Sequence, residues 1–141
     1  MKILILCTGN SCRSQMAQGF LQSFDKRLHL FSAGTEPAVR INSTAVKVMK
    51  EAGVDISQHT PKNVSQYLNK EWDYVITVCD DANEKCPLFS GKVRHRLHLG
   101  FEDPSHVQGS YIEIMNAFYD VRNEIRDEFY KLYESELRKK L

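Results

Sequence analysis

The chain has 141 residues, 19 Lys and Arg against 18 Asp and Glu, and 42% hydrophobic residues. That length fits a single domain over residues 1–141, large enough to fold around an apolar core without a disulfide or metal staple. A formal charge of +1 leaves no basic excess for a nucleic acid or other polyanion. The longest apolar run, Ile3 to Cys7, falls far short of the ~18–20 residues that span a membrane and leads into Thr8-Gly9-Asn10 with no cleavage-site pattern. A cytoplasmic protein with reduced thiols is therefore expected, and its four cysteines are read as nucleophilic, redox or metal-binding groups rather than structural bridges.

Residues 2–6 form a short continuous apolar run, the pattern of a strand buried on both faces. After a turn-rich segment, Met16, Phe20, Leu21 and Phe24 recur at helical spacing and predict a helix over 14–24. Residues 28–32 read as a second strand ended by Ala33-Gly34. Asn42-Ser43-Thr44 can cap a second helix carrying Ala45, Val48, Met49 and Ala52, with Gly53 as its stop signal. Residues 73–78 are a third strand by β-propensity, and 94–99 suggest a fourth. From Tyr111 to about Leu137, Ile114, Phe118, Val121, Ile125, Phe129 and Leu132 make one apolar stripe, the mark of a long amphipathic helix packed on a core.

Strands alternating with helices imply an α/β fold: a flavodoxin-like, three-layer arrangement of a central four-stranded parallel sheet with helices on both faces. Ligands of such sheets bind at the carboxyl ends of the strands, at the topological switch point. Cys7 ends the first strand and Cys79 ends the third.

The segment Cys7-Thr8-Gly9-Asn10-Ser11-Cys12-Arg13-Ser14 joins a strand to a helix. Its small residues let successive backbone N–H groups converge, and the helix start adds unpaired N–H groups and a positive dipole end. Arg13 supplies a planar fork for two oxygens of a tetrahedral oxyanion. A thiol in that positive field is expected to ionise readily, which makes Cys7 the candidate nucleophile. Ser14 is placed to donate to its thiolate, and Asn10 can hold a left-handed turn at little cost. Two blander readings remain: an inert buried Cys7, or a Cys7–Cys12 metal pair at the edge of zinc spacing. Arg13 would repel a cation there, so no metal is assigned. Cys12 is read as an inward-packed loop side chain. The five histidines are scattered and are treated as surface or packing residues.

The whole chain resembles the thioredoxin-coupled arsenate reductases of the low-molecular-weight protein tyrosine phosphatase superfamily. The resemblance rests on the residues 7–17, on Phe31-Ser32-Ala33-Gly34, on Asp55-Ile56-Ser57 with His59-Thr60, on Val78-Cys79 with Cys86-Pro87, and on Gly100-Phe101-Glu102-Asp103-Pro104. The first and last of these fit a phosphatase as well as a reductase; the cysteine pair points to the reductase.

The resemblance implies that residues 8–14 bind arsenate and that Cys7 attacks it. Asp103 would be the general acid, its pKa raised by burial beside the anion. Cys79 would then attack Cys7 to release arsenite, Cys86 would take over the disulfide, and external thioredoxin would reduce it, with no bound cofactor. The polar residues 80–85 should rearrange to allow this. A monomer is expected. Some members of the family bind a monovalent cation near the loop through acidic residues; Gln18 and Lys62 stand at the matching positions, so little potassium dependence is expected. Each element also has a plainer reading, with Cys79 and Cys86 as packed thiols and Asp103-Pro104 as a simple turn. The rival functions are a tyrosine phosphatase, although Ser105 and His106 supply no aromatic wall after Asp103-Pro104, and a thiol-based sensor that binds without turnover.

Overall fold

In a computed structural model describing residues 1–141, strand β1 (Lys2–Cys7) lies inside the sheet, paired parallel to β2 (His29–Gly34) on one side and β3 (Trp72–Thr77) on the other. β4 (Val93–His98) pairs parallel to β3 and completes the order β2-β1-β3-β4. The crossing from β2 to β3 passes over β1, so the switch point lies between β1 and β3. There Leu6 is in register with Thr77, and both strands run out at the same level.

Alternation along the strands splits the core in two. Ile3, Ile5 and Cys7 of β1 and Tyr74 and Ile76 of β3 face a larger cluster made with helices α1 (Arg13–Phe24), α2 (Ser43–Glu51) and α4 (Tyr111–Leu132). Leu4 and Leu6 point the other way, into a smaller cluster with Ala33, Val75, Trp72, Val64 and Tyr67. This second layer is thin. A single 3-10 turn (Val64–Tyr67), which the sequence pattern does not reveal, and the side chains of Cys86 and Phe89 cover it. Trp72 donates its indole N–H to the Tyr67 carbonyl, which satisfies the buried donor.

The α2 boundaries follow their chemistry. Asn42 accepts the Ala45 N–H through its side chain, and Gly53 takes φ +84° just past the helix, where a side chain would be strained. The C-terminal helix departs from the single regular stripe expected. After Leu132 it widens into a π turn (Tyr133–Leu137) and ends in a 3-10 turn (Arg138–Lys140). The π turn shifts the helical phase so that Leu137 reaches the core together with Tyr133; Leu132, just before it, and Ile114, in the first turn of α4, are only half-buried at the core's margin. A second departure lies after β3. The polar residues expected to form a loop instead make a short helix, α3 (Asp80–Glu84), with Cys79 at its N-cap. No helix is long and apolar enough to cross a membrane.

If the π turn exists to seat Leu137, Leu137→Ala should cost about 2–4 kcal/mol in chemical denaturation, as large-to-small changes in cores do. The half-exposed Leu141 should be replaceable by Ala with no measurable change; equal costs at the two positions would contradict this packing.

Candidate active site

The carboxyl ends of β1 and β3 open into a cleft of about 740 Å³. Its lining brings together residues 7–13 with Cys79, Asp80, Asp81 and the segment 100–106, including Asp103. Of the expected site residues, Ser14 lies buried just behind the lining and Cys86 lies elsewhere.

The loop is shaped from outside. The carbonyls of Cys7, Thr8, Gly9 and Ser11 accept the N–H groups of Thr35, Glu36, Ala38 and Asn42. With those carbonyls turned outward, the peptide N–H groups between them are free to face the cleft. Gly34 allows this close approach, because a Cβ there would stand 2.4 Å from the Thr8 carbonyl oxygen. Asn10 adopts φ 51° and is fully buried. Its side chain donates to Ser14 Oγ and accepts the Lys62 N–H. Gln15 spans from the Asn10 carbonyl to His59 Nδ1, a bracing contact that sequence reading missed. The Ser14 hydroxyl thus takes its hydrogen bond from Asn10 and is not bonded to Cys7 as expected.

The start of α1 is left open. Cys12 stands at the N-cap without a side-chain hydrogen bond, and no acidic residue occupies the first turn. Cys12 is packed inward, and burial, ahead of the nearby Asp103 charge, pushes its thiol up to about 12. Arg13 donates to the Phe101 carbonyl at 2.9 Å and pairs with Asp103 at 3.3 Å. Its Nε–H is buried and has no partner. An unmet buried donor costs about 1–3 kcal/mol; in an open helix N-terminus, a tetrahedral oxyanion is the ligand that would satisfy it.

Two expectations about charge are corrected. Asp103 is held below the ordinary carboxylate range. Burial pushes it up, but the Ser105 hydroxyl and N–H, Arg13 and His106 together outweigh burial. The ready ionisation expected of Cys7 is opposed by its neighbour. Its thiol lies against Cys79, and that hydrogen bond, followed by desolvation, pushes Cys7 far up despite Arg13 and the Thr8 N–H. Cys79 is drawn down to about 5 by the same hydrogen bond and by the Thr8 hydroxyl and Ala82 N–H. Negative charge shared by the two thiols is thus favoured on Cys79 over Cys7.

Thr8 makes a further link that the sequence did not show. Its hydroxyl donates to Asp81 at 2.9 Å and lies 3.4 Å from Cys79 Sγ, joining the anion loop to α3. Two consecutive aspartates after Cys79 are the signal for a helix start that could have exposed this contact. Cys86 is half-buried beyond the far end of α3, against the second core cluster; burial raises its thiol and the Arg96 charge opposes that. All four cysteines are free. No group of three or more His, Cys, Asp or Glu side chains is arranged to hold a metal ion. Gln18 and Lys62 line a small pocket behind the loop, with Ser32 donating to the Gln18 side chain.

Cys7, the loop after it and Asp103 thus share one cleft, the setting for a comparison with known proteins. A family model described as low molecular weight phosphotyrosine protein phosphatase matches residues 2–141. The chain belongs to this family. Within it, the chain is 43% identical over 134 residues to an arsenate reductase of Shouchella clausii, covering 94% of this chain and 95% of the relative. It is 44% identical over 124 residues to the arsenate reductase of Bacillus subtilis, covering 87% and 88% respectively. Among solved structures, an arsenate reductase in the oxidized state superposes with a TM-score of 0.79 at 26% identity, over 93% of this chain and 95% of that one. A low molecular weight protein tyrosine phosphatase from T. tengcongensis gives 0.71 at 25% identity, over 95% and 98%. The family fold thus serves proteins of both names.

The shared charge predicts one thiolate per chain at neutral pH, seen as ultraviolet thiolate absorbance that titrates away with a midpoint near 5 as acid is added. Cys79→Ser should abolish that low-pH transition, and Thr8→Val should move it upward. Absence of thiolate at pH 7 would refute the shared-proton arrangement.

Proposed function

We propose that this chain reduces arsenate to arsenite through three thiols, Cys7, Cys79 and Cys86, with thioredoxin as the external reductant. The observation that carries this reading is the second sulfur, Cys79, set against Cys7 at the mouth of an oxyanion loop. Phosphoryl transfer needs one thiol; removing two electrons from a pair of thiols needs two. The identity to proteins named arsenate reductase supports the same reading.

Arsenate would enter on the free N–H groups of residues 8–14, with the Arg13 fork turning from Asp103 to grip two of its oxygens. Passing the shared proton from Cys7 to Cys79 would make Cys7 the thiolate where the substrate sits. Cys7 then bonds to arsenic, and one arsenic oxygen leaves as water. Asp103 would supply the proton, the bound anion having raised its pKa by like-charge repulsion. Cys79 passes its proton to an oxygen of the arsenic adduct, its thiolate stabilised by the Thr8 hydroxyl and the Ala82 N–H, and attacks the Cys7 sulfur. The S–As electron pair stays on arsenic, which leaves as arsenite, and a Cys7–Cys79 disulfide forms.

In the next exchange the Cys86 thiolate attacks Cys79 and Cys7 departs as thiolate. Cys86 lies outside the cleft that holds Cys79, so residues 80–85 must give up their helical hydrogen bonds for the two sulfurs to meet. The resulting Cys79–Cys86 disulfide lies in a segment beside the fully exposed Leu88, where a protein reductant has access. Thioredoxin's dithiol takes up the disulfide and restores the three thiols. A tyrosine phosphatase reading keeps the support of the shared loop and of the T. tengcongensis neighbour, but it gives Cys79 and Cys86 no role.

Purified protein supplied with arsenate, thioredoxin, thioredoxin reductase and NADPH should consume NADPH and produce arsenite, at a rate well above its turnover of an aryl phosphate. Cys86→Ser should release about one arsenite per chain and then stop. Continued turnover of that variant with thioredoxin would sink the relay, and aryl phosphate turnover without arsenite would favour the phosphatase.

A further inference from the structure

His98 ends β4, and the reaction outlined above gives it no part. Its ring nevertheless bridges two elements that the chemistry needs held together. Nε2 lies 2.9 Å from Asp80 Oδ1 in the first turn of α3, and Nδ1 lies 2.8 Å from the buried Thr77 Oγ1 at the end of β3. The same Thr77 hydroxyl lies 3.3 Å from Asn83 Oδ1, one turn further along α3. A five-residue helix has too few internal hydrogen bonds to persist alone, so it depends on such side contacts. Space around the bridge is closely matched to it. A Cβ on Gly100 would stand 3.1 Å from His98 Nε2 and 3.3 Å from Asp80 Oδ1.

We propose that His98 is a positioning residue for Cys79: with Thr77 it clamps α3 to the ends of β3 and β4, and so keeps Cys79 at the helix N-cap facing Cys7. The clamp has opposite effects on two successive steps. While it holds, Cys79 keeps the Ala82 N–H and stays aimed at Cys7, which favours the attack that releases arsenite. The next step, attack of the Cys86 thiolate on the Cys79 sulfur with Cys7 leaving as thiolate, requires residues 80–85 to unwind, and the clamp resists it. Asp80 is 88% exposed and the His98 side chain 32%, so the bridge belongs with solvent-screened pairs and its effect is modest. This inference rests on the thiol relay for its consequence, but the clamp itself is testable without any substrate.

In the reduced protein, His98→Ala should speed hydrogen exchange of the amides of residues 80–85 by about two- to fivefold, while leaving the β1 and β3 amides unchanged. In a single turnover with one equivalent of arsenate and no thioredoxin, quenched by alkylation and mapped for disulfides, the same variant should form the Cys7–Cys79 disulfide more slowly. It should pass from there to Cys79–Cys86 faster. A general loss of stability would slow both. His98→Gln, which keeps a side-chain N–H for Asp80, should fall between the wild type and His98→Ala. Asp80→Ala, at an exposed position that puts folding at little risk, should mimic His98→Ala and add little to it in the double variant, because the two act as one contact.

Unchanged exchange at residues 80–85, additive effects of the two substitutions, or slowing of both disulfide steps would each overturn the clamp. Faster exchange in a protein whose wild type forms no Cys79–Cys86 disulfide would support the clamp and refute the relay instead.

Discussion

The register between β1 and β3 is the constraint on which the site depends. Leu6 pairs with Thr77, so two strands far apart in sequence end side by side, and their next residues turn into one crevice. Cys7 arrives there followed by a loop and the open start of α1, while Cys79 arrives followed by the start of α3. A slip of one residue would turn every β1 side chain to the opposite layer and take Cys7 out of the cleft. The two-layer core prevents that: Ile3 and Ile5 are held among the long helices, and Leu4 and Leu6 against Trp72 and Val75.

Within that frame, the anion loop and the thiol pair stand in an electrostatic balance. The outward-bonded carbonyls, the uncapped helix start and the unpartnered Arg13 Nε all favour negative charge in the cleft. Part of that demand is met from inside the protein, by Asp103 on Arg13 and by the charge shared between Cys7 and Cys79. An oxyanion bound there would therefore displace an internal anion as well as water. Its binding and the redistribution of protons among these groups are parts of a single equilibrium.

Much of this was legible in the sequence. A continuous apolar run at residues 2–6 and β-rich stretches further on located all four strands to within two residues, and the spacing in residues 7–14 located the loop. Asn42 and Gly53 marked helix ends because a cap and a left-handed glycine are local requirements. What could not be read arises from contacts between distant segments. The π turn after Leu132 depends on where the core needs Tyr133 and Leu137. The sequence places Cys7 and Cys79 at neighbouring strand ends, but the effect on Cys7 ionisation depends on the close approach of the two side chains, which only the fold supplies. Asp103 followed the same rule, since Ser105 and Arg13 outweigh burial only once the segment 100–106 folds over the cleft. The short α3 was hidden because a five-residue polar stretch shows no hydrophobic period.

The geometry of the chain ends has a practical side. Met1 and Leu141 lie together in a shallow depression at the amino ends of the strands, with Asp73, Tyr74, Arg94, His95 and Lys140, and Lys140 reaches the Tyr74 hydroxyl. The oxyanion loop opens at the opposite pole of the sheet. A surface tether, dye or affinity handle attached through either terminus would hang away from the cleft, leaving its mouth free for partners as large as another protein.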